Sequence, residues 1–289
     1  MFEEENKPFI SGRLARTARL AAEYYVWLDS PLDYIAELKA SGLKADLFTF
    51  LQSIDKSTPQ FDFHCEKESL AMLPITTFEN WWKNQINDKT RNMIRKAQKS
   101  QVEIKVVEFS DSLIQGIQSI YDESPLRQGR PFLHYRKSLE SLRNAHITFA
   151  DRSQFIGAYY QNELIGFIKL VHDNGLSHLM QIISKISHRN KAPTNALIAK
   201  AVEICAQAHI PLLHYGVWSS RTLGDFKIHH AFKPFEVLRY YVPLNVRGEI
   251  CLKLHLHHKA ADYLPDRLID QLVRFRTAWY AFRHSKSNG

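Results

Sequence analysis

Between residues 154 and 244 the chain alternates apolar runs with short polar segments, and the lengths of the runs predict strands before a helix. Three apolar runs come first, each long enough for a strand, and polar segments rich in Asn, Asp and Gly separate them. Turn residues of that kind reverse the chain between neighbouring strands. The pattern therefore predicts an antiparallel meander of three strands. Its runs are Phe155–Tyr160, Leu164–Val171 and Leu176–Ile186.

A polar loop, a helix and a further strand follow the meander. The loop covers Ser187–Thr194, and Pro193 stands near the first turn of a helix predicted over Asn195–Ala208, where proline is well tolerated. Pro211–Trp218 is apolar again and predicts the next strand. The polar loop therefore lies at a strand-to-helix junction.

This junction is the first candidate site. The first turn of a helix leaves backbone N–H groups unpaired and carries a partial positive charge, so it binds anions. Arg189 and Lys191 lie in the loop, and Thr194 or Asn195 can add a side-chain donor. We expect these four residues to hold a phosphate or pyrophosphate group.

The remaining chain divides into shorter elements. Residues 11–45 predict helices, the second starting at Ser30-Pro31 and ending at Gly42. An amphipathic helix over Asp266–Arg283 can dock on the domain, form a homodimer interface or touch a membrane surface, and docking is favoured. The other predicted elements are the strands Asp46–Ile54, Phe61–Ile75 and Val102–Phe109 and the helices Lys89–Ser100 and Ser110–Tyr121.

Several weak motifs together resemble one protein family. Gly224–Lys227, Ala231–Pro234 and Arg239–Leu244 are similar to the Phe-Lys helix and closing strands of the Fem-type aminoacyltransferases, a branch of the GNAT-fold acyltransferase superfamily. Lys89–Ser100, with the strand after it, is similar to the basic helix and first strand that open the same domain. The resemblance covers roughly residues 75–245.

The resemblance implies a fold class and a domain organisation. The implied class is α/β (α+β), with a GNAT-like mixed, mainly antiparallel sheet flanked by helices, an N-terminal lobe and a C-terminal helix. The implied divisions are an N-terminal lobe over residues 1–85, an acyltransferase domain over 86–250, and a C-terminal strand and helix over 251–289. The first of these would be a reduced GNAT-like lobe.

The same resemblance implies a bacterial-type acyltransferase. The leading expectation is an N-acyltransferase that moves an acyl group from acyl-CoA to an amine acceptor in a direct ternary complex. GNAT pyrophosphate loops normally carry glycines, and His188–Thr194 has none. One alternative is Fem-type aminoacyl transfer from aminoacyl-tRNA to a peptidoglycan or related cell-envelope precursor, although the chain lacks the coiled-coil arm of some Fem-type proteins. Another is a non-catalytic module that binds RNA or an anionic glycolipid.

The segment after the helix Ser110–Tyr121 supplies candidates for binding the acceptor. In GNAT folds this connection lines the acceptor pocket, and arginine forks match carboxylate and phosphate geometry. The alternative is that the two arginines pair with Asp122 and Glu123 and only pin the loop. The candidates are Arg127, Gln128 and Arg130.

Acyl transfer to an amine needs a base, donors for the oxyanion and an acid for the leaving group. We expect Glu123 to be the base, with His134 behind it, because burial would tune either group toward neutrality. A helix-end salt bridge is the alternative for Glu123. The resemblance implies that Lys227 stabilises the leaving group or a donor phosphate. Tyr215 and Tyr240 are further candidates for that stabilisation, and Tyr215 is also a substrate-binding candidate. Core packing with a satisfied hydroxyl is favoured for both.

Composition narrows the class of partner. The net charge of +8 and the pI near 9.3 favour polyanions, which include nucleotide cofactors, anionic lipid head groups and RNA. Arg91, Arg95 and Lys99 are four residues apart and share one helix face, for which simple solvation is favoured over phosphate binding. No signal-like or membrane-spanning run occurs, so we expect a cytoplasmic protein.

Cysteines and histidines give little support for a metal site. The cysteines lie far apart without CxxC spacing, which argues against a disulfide framework or a zinc knuckle. His255 and His257 would share one face of a strand, with His258 next to them. No acidic or cysteine partner has ligand spacing nearby, so a solvated strand face is favoured and no metal is expected. The cysteines are Cys65, Cys205 and Cys251.

Overall fold

The polypeptide passes more than once between two structural units. The computed structural model describes all residues except 1–5, 13, 174, 219–221, 259–265 and 288–289. The first unit contains residues 1–70 and 234–263, and the second contains residues 71–233 and 264–289. Each unit draws on two separate stretches of sequence, unlike the contiguous divisions that the family resemblance implies.

Strands and helices alternate along most of the chain. The strands are β1 (Pro8–Ser11), β2 (Thr17–Leu20), β3 (Leu47–Leu51), β4 (His64–Pro74), β5 (Glu103–Val107), β6 (Leu126–Arg127), β7 (Arg130–Pro131), β8 (Ser153–Tyr160), β9 (Glu163–Asp173), β10 (Leu176–Ser184), β11 (Leu212–Val217) and β12 (Lys233–Pro243). The helices are α1 (Pro31–Ala40), α2 (Phe78–Asn80, continued by a π-helical turn over Trp81–Gln85), α3 (Asp88–Lys99), α4 (Asp111–Tyr121), α5 (Leu139–His146), α6 (Pro193–Gln207), α7 (Thr222–His229), α8 (Val246–Lys253) and α9 (Asp266–Ser287).

The second unit is built on the strand order β11-β10-β9-β8-β5. β8, β9 and β10 form the predicted antiparallel meander, and β5 pairs antiparallel with β8. Gln161 and Asn162 take φ values of 50° and 65° between β8 and β9, the left-handed backbone that tight hairpins use. β10 and β11 pair in parallel. The mixed, mainly antiparallel sheet confirms the predicted fold class.

Helix α6 buries one side in the core of the second unit. Leu197, Ala201 and Cys205 are fully buried there, together with Ile156 and Ile168 of the meander. Burial raises the pKa of the Cys205 thiol to about 11, so the thiol stays protonated and inert near neutral pH. The α6 helix therefore anchors the loop before it to a packed sheet.

The first unit contains the strand order β1-β2-β3-β12. The prediction of a helix at the start of residues 11–45 is wrong, because β1 and β2 occupy this part of the chain. β2 buries Ala18 and Leu20 and leaves Thr17 and Arg19 partly exposed, which is the period of a strand. α1 begins with Pro31 as predicted, and β3 and β4 lie within the two predicted strands.

Tyr240 belongs to the aromatic core of the first unit. Its ring stacks on Phe50 with centroids 5.1 Å apart. Its hydroxyl lies 2.7 Å from the Gln52 Oε1 atom, to which it donates, and it accepts from the Gln60 N–H at 2.7 Å. The residue therefore matches the core-packing alternative, with a satisfied hydroxyl.

A buried ion cluster surrounds Arg239 on β12. The guanidinium donates to Glu23 Oε2 at 2.8 Å and to Thr49 Oγ1 at 3.2 Å, and its Nε bonds to Glu68. The side chains of Arg239 and Glu23 are 8% and 4% exposed. Because water hardly reaches these charges, each depends on its partners for stabilisation.

The histidines after α8 do not form the predicted strand face. α8 ends at Lys253, and the chain continues in turns through His258, with His255 left-handed at a φ of 55°. Glu66 of β4 lies against them, with Oε1 3.0 Å from His257 Nε2. The acidic partner of His257 is thus Glu66, which lies 191 residues earlier in the sequence.

Helix α9 belongs to the second unit and docks on the turn between β6 and β7. The Thr277 hydroxyl donates to the Val273 carbonyl oxygen of its own helix at 2.8 Å and lies 3.4 Å from the Gly129 carbonyl oxygen. Leu272, Phe275 and Trp279 of the same helix stay largely exposed, and a homodimer through this face stays a prediction. Among the described residues, no helix is both long enough and apolar enough to cross a membrane.

Candidate functional site

The sheet of the second unit opens where β10 and β11 diverge. The two strands pair in parallel over residues 176–178 and 212–214, and the paired register ends there. Directly afterwards β10 carries a bulge between Leu179 and Gln181, and β11 has Gly216 at a φ of 61°. Bulges and glycine bends disrupt ladder pairing and redirect a strand. The two backbones therefore separate toward their carboxyl ends.

Because β10 and β11 are parallel, the segments that follow them lie at the same edge of the sheet. The loop before α6 follows β10, and α7 follows β11 after a short connection. We call this region the splayed edge, and we define it by residues 185–195, by Tyr215 and Val217 at the end of β11, and by Lys227 of α7. Open α/β sheets bind ligands at such carboxyl ends.

Helix α6 begins at the splayed edge without a side-chain cap. Its N-cap residue is Ala192, which lies at a φ of 55° and has no capping oxygen, and Pro193 occupies the first turn. A 3-10 turn over Arg189–Lys191 leads into it. The partial positive charge of this helix end is therefore not neutralised by a capping side chain.

The structure keeps the four predicted anion-binding residues at this junction but gives them different environments. Arg189 is exposed, and no carboxylate pairs with it among the described residues. The Lys191 nitrogen lies 4.4 Å from the centre of the Tyr160 ring. Thr194 shares a hydrogen bond of 2.9 Å with the hydroxyl at the end of β10, and the Asn195 N–H bonds within the first turn. Arg189 is thus the cation most accessible to an anionic ligand.

Glu123, at the carboxyl end of α4, holds this loop in place. Its carboxylate accepts from the N–H of Ile186, from the N–H of Ser187 at 2.8 Å and from the Ser187 hydroxyl at 2.7 Å. Burial would raise the pKa of Glu123, but these hydrogen bonds and the charge of Arg127 outweigh it and lower the pKa. The expected upward tuning of this carboxyl is therefore corrected: hydrogen bonds to the charged form keep it ionised.

Arg127 pairs with the Glu123 carboxylate. This agrees with the alternative in which arginines after α4 pair with nearby carboxylates and hold the loop. Arg127 Nη2 lies 3.2 Å from Glu123 Oε2, and the guanidinium donates to the carbonyl oxygens of Ser184 and Ile120 at 2.9 and 2.6 Å. Burial lowers the pKa of Arg127, and the like charge of Arg189 adds to the effect. The Arg127 guanidinium is therefore occupied in fixing the loop, and the Glu123 carboxylate offsets its charge.

The remaining acceptor-binding candidates lie on the small hairpin formed by β6 and β7. Gln128 and Gly129 form its turn with φ values of 51° and 68°, as type I′ turns require. Gln128 and Arg130 are exposed, and no ion pair joins Arg130 to Asp122 in the described part of the chain. Their side chains are available to a ligand, whereas the Arg127 guanidinium already bonds to Glu123 and to two backbone carbonyl oxygens.

Lys227 and Tyr215 come together at the end of β11. The Lys227 ammonium donates to the Val217 carbonyl oxygen at 2.7 Å and lies 4.7 Å from the centre of the Tyr215 ring. The Lys227 side chain is almost completely buried, and burial lowers its pKa to about 8. The Tyr215 ring also packs edge-on against Phe232. A buried lysine with this pKa is a typical functional-site feature.

His134 belongs to a cluster that sequence reasoning missed. Its ring lies 4.9 Å from that of Tyr121, whose hydroxyl is 3.3 Å from His146 Nε2. The buried Lys169 ammonium donates to the His146 carbonyl oxygen at 2.8 Å. His134 Nδ1 is buried and has no hydrogen-bond partner among the described residues, and burial followed by the charge of Lys137 lowers the pKa of His134. The imidazole is therefore neutral at pH 7.

No family model matches the chain, and no curated protein matches its sequence. Solved structures do resemble it. One is the C-terminal domain of a putative lysylphosphatidylglycerol synthetase from Agrobacterium fabrum, with a TM-score of 0.56 at 13% identity over 88% of this chain and 86% of that one. Another is L-PGS from Bacillus licheniformis, with a TM-score of 0.54 at 11% identity over 83% and 82% of the two chains.

The structure of FemX is a third neighbour, with a TM-score of 0.50 at 10% identity over 79% of this chain and 72% of that one. These similarities decide the fold. The chain has a GNAT-like fold. The GNAT-like fold confirms what the Phe-Lys motif and the closing strands indicate. Identities this low establish the fold alone. Any inference about function therefore has to come from the residues of the splayed edge.

Proposed function

We propose that this protein transfers an acyl or aminoacyl group from an anionic carrier to an amine or hydroxyl acceptor. One observation carries the proposal. The divergence of β10 and β11 puts a basic loop, an uncapped helix N-terminus and the buried Lys227 at one edge of the sheet. That edge suits a carrier whose phosphates meet the helix end while its acyl carbon lies between the strands.

Phosphate binding is assigned to the loop before α6. Arg189 offers an exposed guanidinium, and Lys191, Thr194 and Asn195 surround the first turn. The carboxylate of Glu123 holds the loop through backbone N–H groups, so we assign it a positioning role. A fixed loop supports tight binding because less conformational entropy is lost when the anion arrives.

The transfer step needs a proton acceptor and a proton donor. The acceptor nucleophile attacks the carbonyl carbon, a tetrahedral oxyanion forms, and the bond to the carrier oxygen or sulfur then breaks. Lys227, with a pKa of about 8, is mostly protonated at pH 7 and can give a proton to the leaving group. His134 is neutral and its Nδ1 has no partner among the described residues, so we assign it proton removal from the nucleophile.

Acceptor binding is assigned to the hairpin of β6 and β7. Gln128 and Arg130 are its exposed polar side chains, and Arg130 favours an acceptor that carries a phosphate or carboxylate. Tyr215 closes the other side of the assigned site through its contact with Lys227. A polar or anionic cell-envelope component has the required chemistry.

We place aminoacyl-tRNA before acyl-CoA as the donor. The loop from His188 to Thr194 lacks the glycines of GNAT pyrophosphate loops. The neighbours with TM-scores of 0.50 or more include a putative synthetase of lysylphosphatidylglycerol and FemX. The net charge of +8 also suits a large polyanion.

A thermal-shift series followed by a transfer assay tests the proposal. The melting temperature is measured with bulk aminoacylated tRNA, coenzyme A, acetyl-CoA and a long-chain acyl-CoA, because a ligand that binds only the folded state raises it. A shift with tRNA that weakens steeply with salt supports the tRNA donor. A shift with one CoA species alone moves acyl-CoA transfer ahead.

Variants then separate an enzyme from a binding module. In an enzyme, Lys227→Met removes transfer of radiolabelled acyl groups while the ligand-induced shift persists. The matched control is Lys39→Met, which changes an exposed lysine of α1. Ligand binding without transfer in the wild-type protein, with every donor supplied, would instead support a non-catalytic module.

A further inference from the structure

A second cluster of chemically active side chains lies in the first unit. Glu66 of β4 and three histidines after α8 each offer one ligand atom, and these atoms all lie within 4.8 Å of one another. None of these residues belongs to the splayed edge. The histidines are His255, His257 and His258.

Local structure explains why these residues meet. His64 and Glu66 are two positions apart on β4 and so lie on one face of the strand. α8 starts at the N-cap Asn245, whose side chain accepts from the Gly248 N–H. After α8 the left-handed backbone of His255 turns the chain, which brings its neighbours back against β4.

The hydrogen bonds within the cluster converge on a single atom. Glu66 Oε1 lies 3.0 Å from His64 Nε2, 3.0 Å from His257 Nε2 and 3.2 Å from His258 Nε2. One carboxylate oxygen has two lone pairs, so three imidazole nitrogens exceed what it can accept in ideal geometry. The separations of Glu66 Oε1 from His257 Nε2 and His258 Nε2 are near those that ligands of one small cation adopt at bond lengths of about 2.0–2.2 Å.

His257 is the enclosed member of the cluster, whereas His255 is exposed. The His257 side chain has no solvent exposure, and its ring lies 4.5 Å from that of Tyr241. His257 Nδ1 is buried without a hydrogen-bond partner in the described part of the chain. The ring therefore meets the cluster through Nε2, the nitrogen that faces Glu66.

We propose that Glu66, His255, His257 and His258 form a Zn²⁺ site. Three imidazoles and one carboxylate are ligands that Zn²⁺ prefers, and four protein ligands make the closed tetrahedral arrangement of structural sites. His64 acts from outside this set by orienting the Glu66 carboxylate. The ion fastens the turn after α8 to β4, so it stabilises the first unit and takes no part in group transfer.

Metal titration of the full chain tests this site. The protein is stripped with a chelator, dialysed and titrated with Zn²⁺ while heat and melting temperature are recorded, and Co²⁺ serves as a spectroscopic probe of tetrahedral geometry. We expect one Zn²⁺ per chain, a higher melting temperature and intense Co²⁺ absorption bands. Glu66→Gln and His258→Gln should each weaken Zn²⁺ binding by more than about 100-fold, and His64→Gln by about 10- to 100-fold.

The control is His209→Asn, at an exposed histidine after α6 whose φ of 54° suits asparagine. This variant should bind Zn²⁺ as the wild type does. Circular dichroism and the melting temperature of each stripped variant show whether it folds, and both glutamine changes are close in size to the side chains they replace. Absence of stoichiometric Zn²⁺ binding by the wild type, or unchanged affinity in Glu66→Gln and His258→Gln, would overturn the proposal.

Discussion

Lys227 makes the stability of the protein depend on pH in a way that can be measured. Its side chain is 2% exposed, and its ammonium donates to the Val217 carbonyl oxygen. Burial lowers the pKa of Lys227 from 10.5 to about 8. At about 1.4 kcal/mol per pH unit, keeping the ammonium charged in the folded state costs about 3 kcal/mol relative to the unfolded chain.

The sign of the effect follows from proton binding. Between the folded pKa of about 8 and the unfolded value of 10.5, the unfolded chain binds more protons at Lys227 than the folded chain does. The contribution of this residue to stability is therefore lowest below pH 8 and rises through this window. Lys227→Met removes the titrating group and keeps most of the side-chain volume, so the variant lacks this rise.

Urea unfolding of both proteins at pH 7 and pH 9.5 measures the difference. We expect the free energy of unfolding of the wild type, relative to Lys227→Met, to increase by about 2 kcal/mol between these two pH values. Lys169, whose pKa burial also lowers to about 8, contributes equally to both proteins and cancels. An unchanged difference between the two proteins would refute the argument that burial holds the pKa of Lys227 down.

Three further predictions concern contacts elsewhere. Glu123→Gln should loosen the loop before α6 and lower the free energy of unfolding in urea by about 1–3 kcal/mol. It should also weaken binding of the anionic donor, and unaltered donor affinity would argue against the positioning role. Arg239→Met should destabilise by about 3–5 kcal/mol in the same assay, because the buried Glu23 and the partly buried Glu68 lose the cation that they share. A loss below about 1 kcal/mol would contradict this. Gly129→Ala should speed limited proteolysis of α9, because Gly129 has a φ of 68° and an added Cβ would lie 2.2 Å from Thr277 Oγ1. An unchanged cleavage pattern would count against the docking of α9 on the turn between β6 and β7.

Most of the second unit is predictable from local pattern. The meander follows from three apolar runs separated by turn residues, and α6 follows from Pro193 and the apolar positions after it. Both signals lie within short windows, where periodicity and turn chemistry act directly on the backbone. The short strands β1 and β2 were missed because four residues give too little periodicity to distinguish a strand from a helix.

The candidate site is predictable only in part. Arg189 and Lys227 are candidates because one lies beside a helix start and the other in a Phe-Lys motif, and their roles stay predictions. The contact of Lys227 with Tyr215 was not foreseen. The binding of Glu123 to the N–H groups of Ser187 and its neighbour spans about sixty residues of sequence. No local pattern reports such a contact, and the same contact reverses the expected direction of the pKa shift of Glu123.

The sequence by itself determined the order of strands and helices in the second unit, the basic character of the loop before α6 and the resemblance to GNAT-like proteins. Each depends on residues that are close together in the chain. The tertiary structure alone decided which charges meet, including Glu123 with the loop and Glu66 with His257. Electrostatic contacts depend on distance in space and on burial, and both are properties of the folded chain.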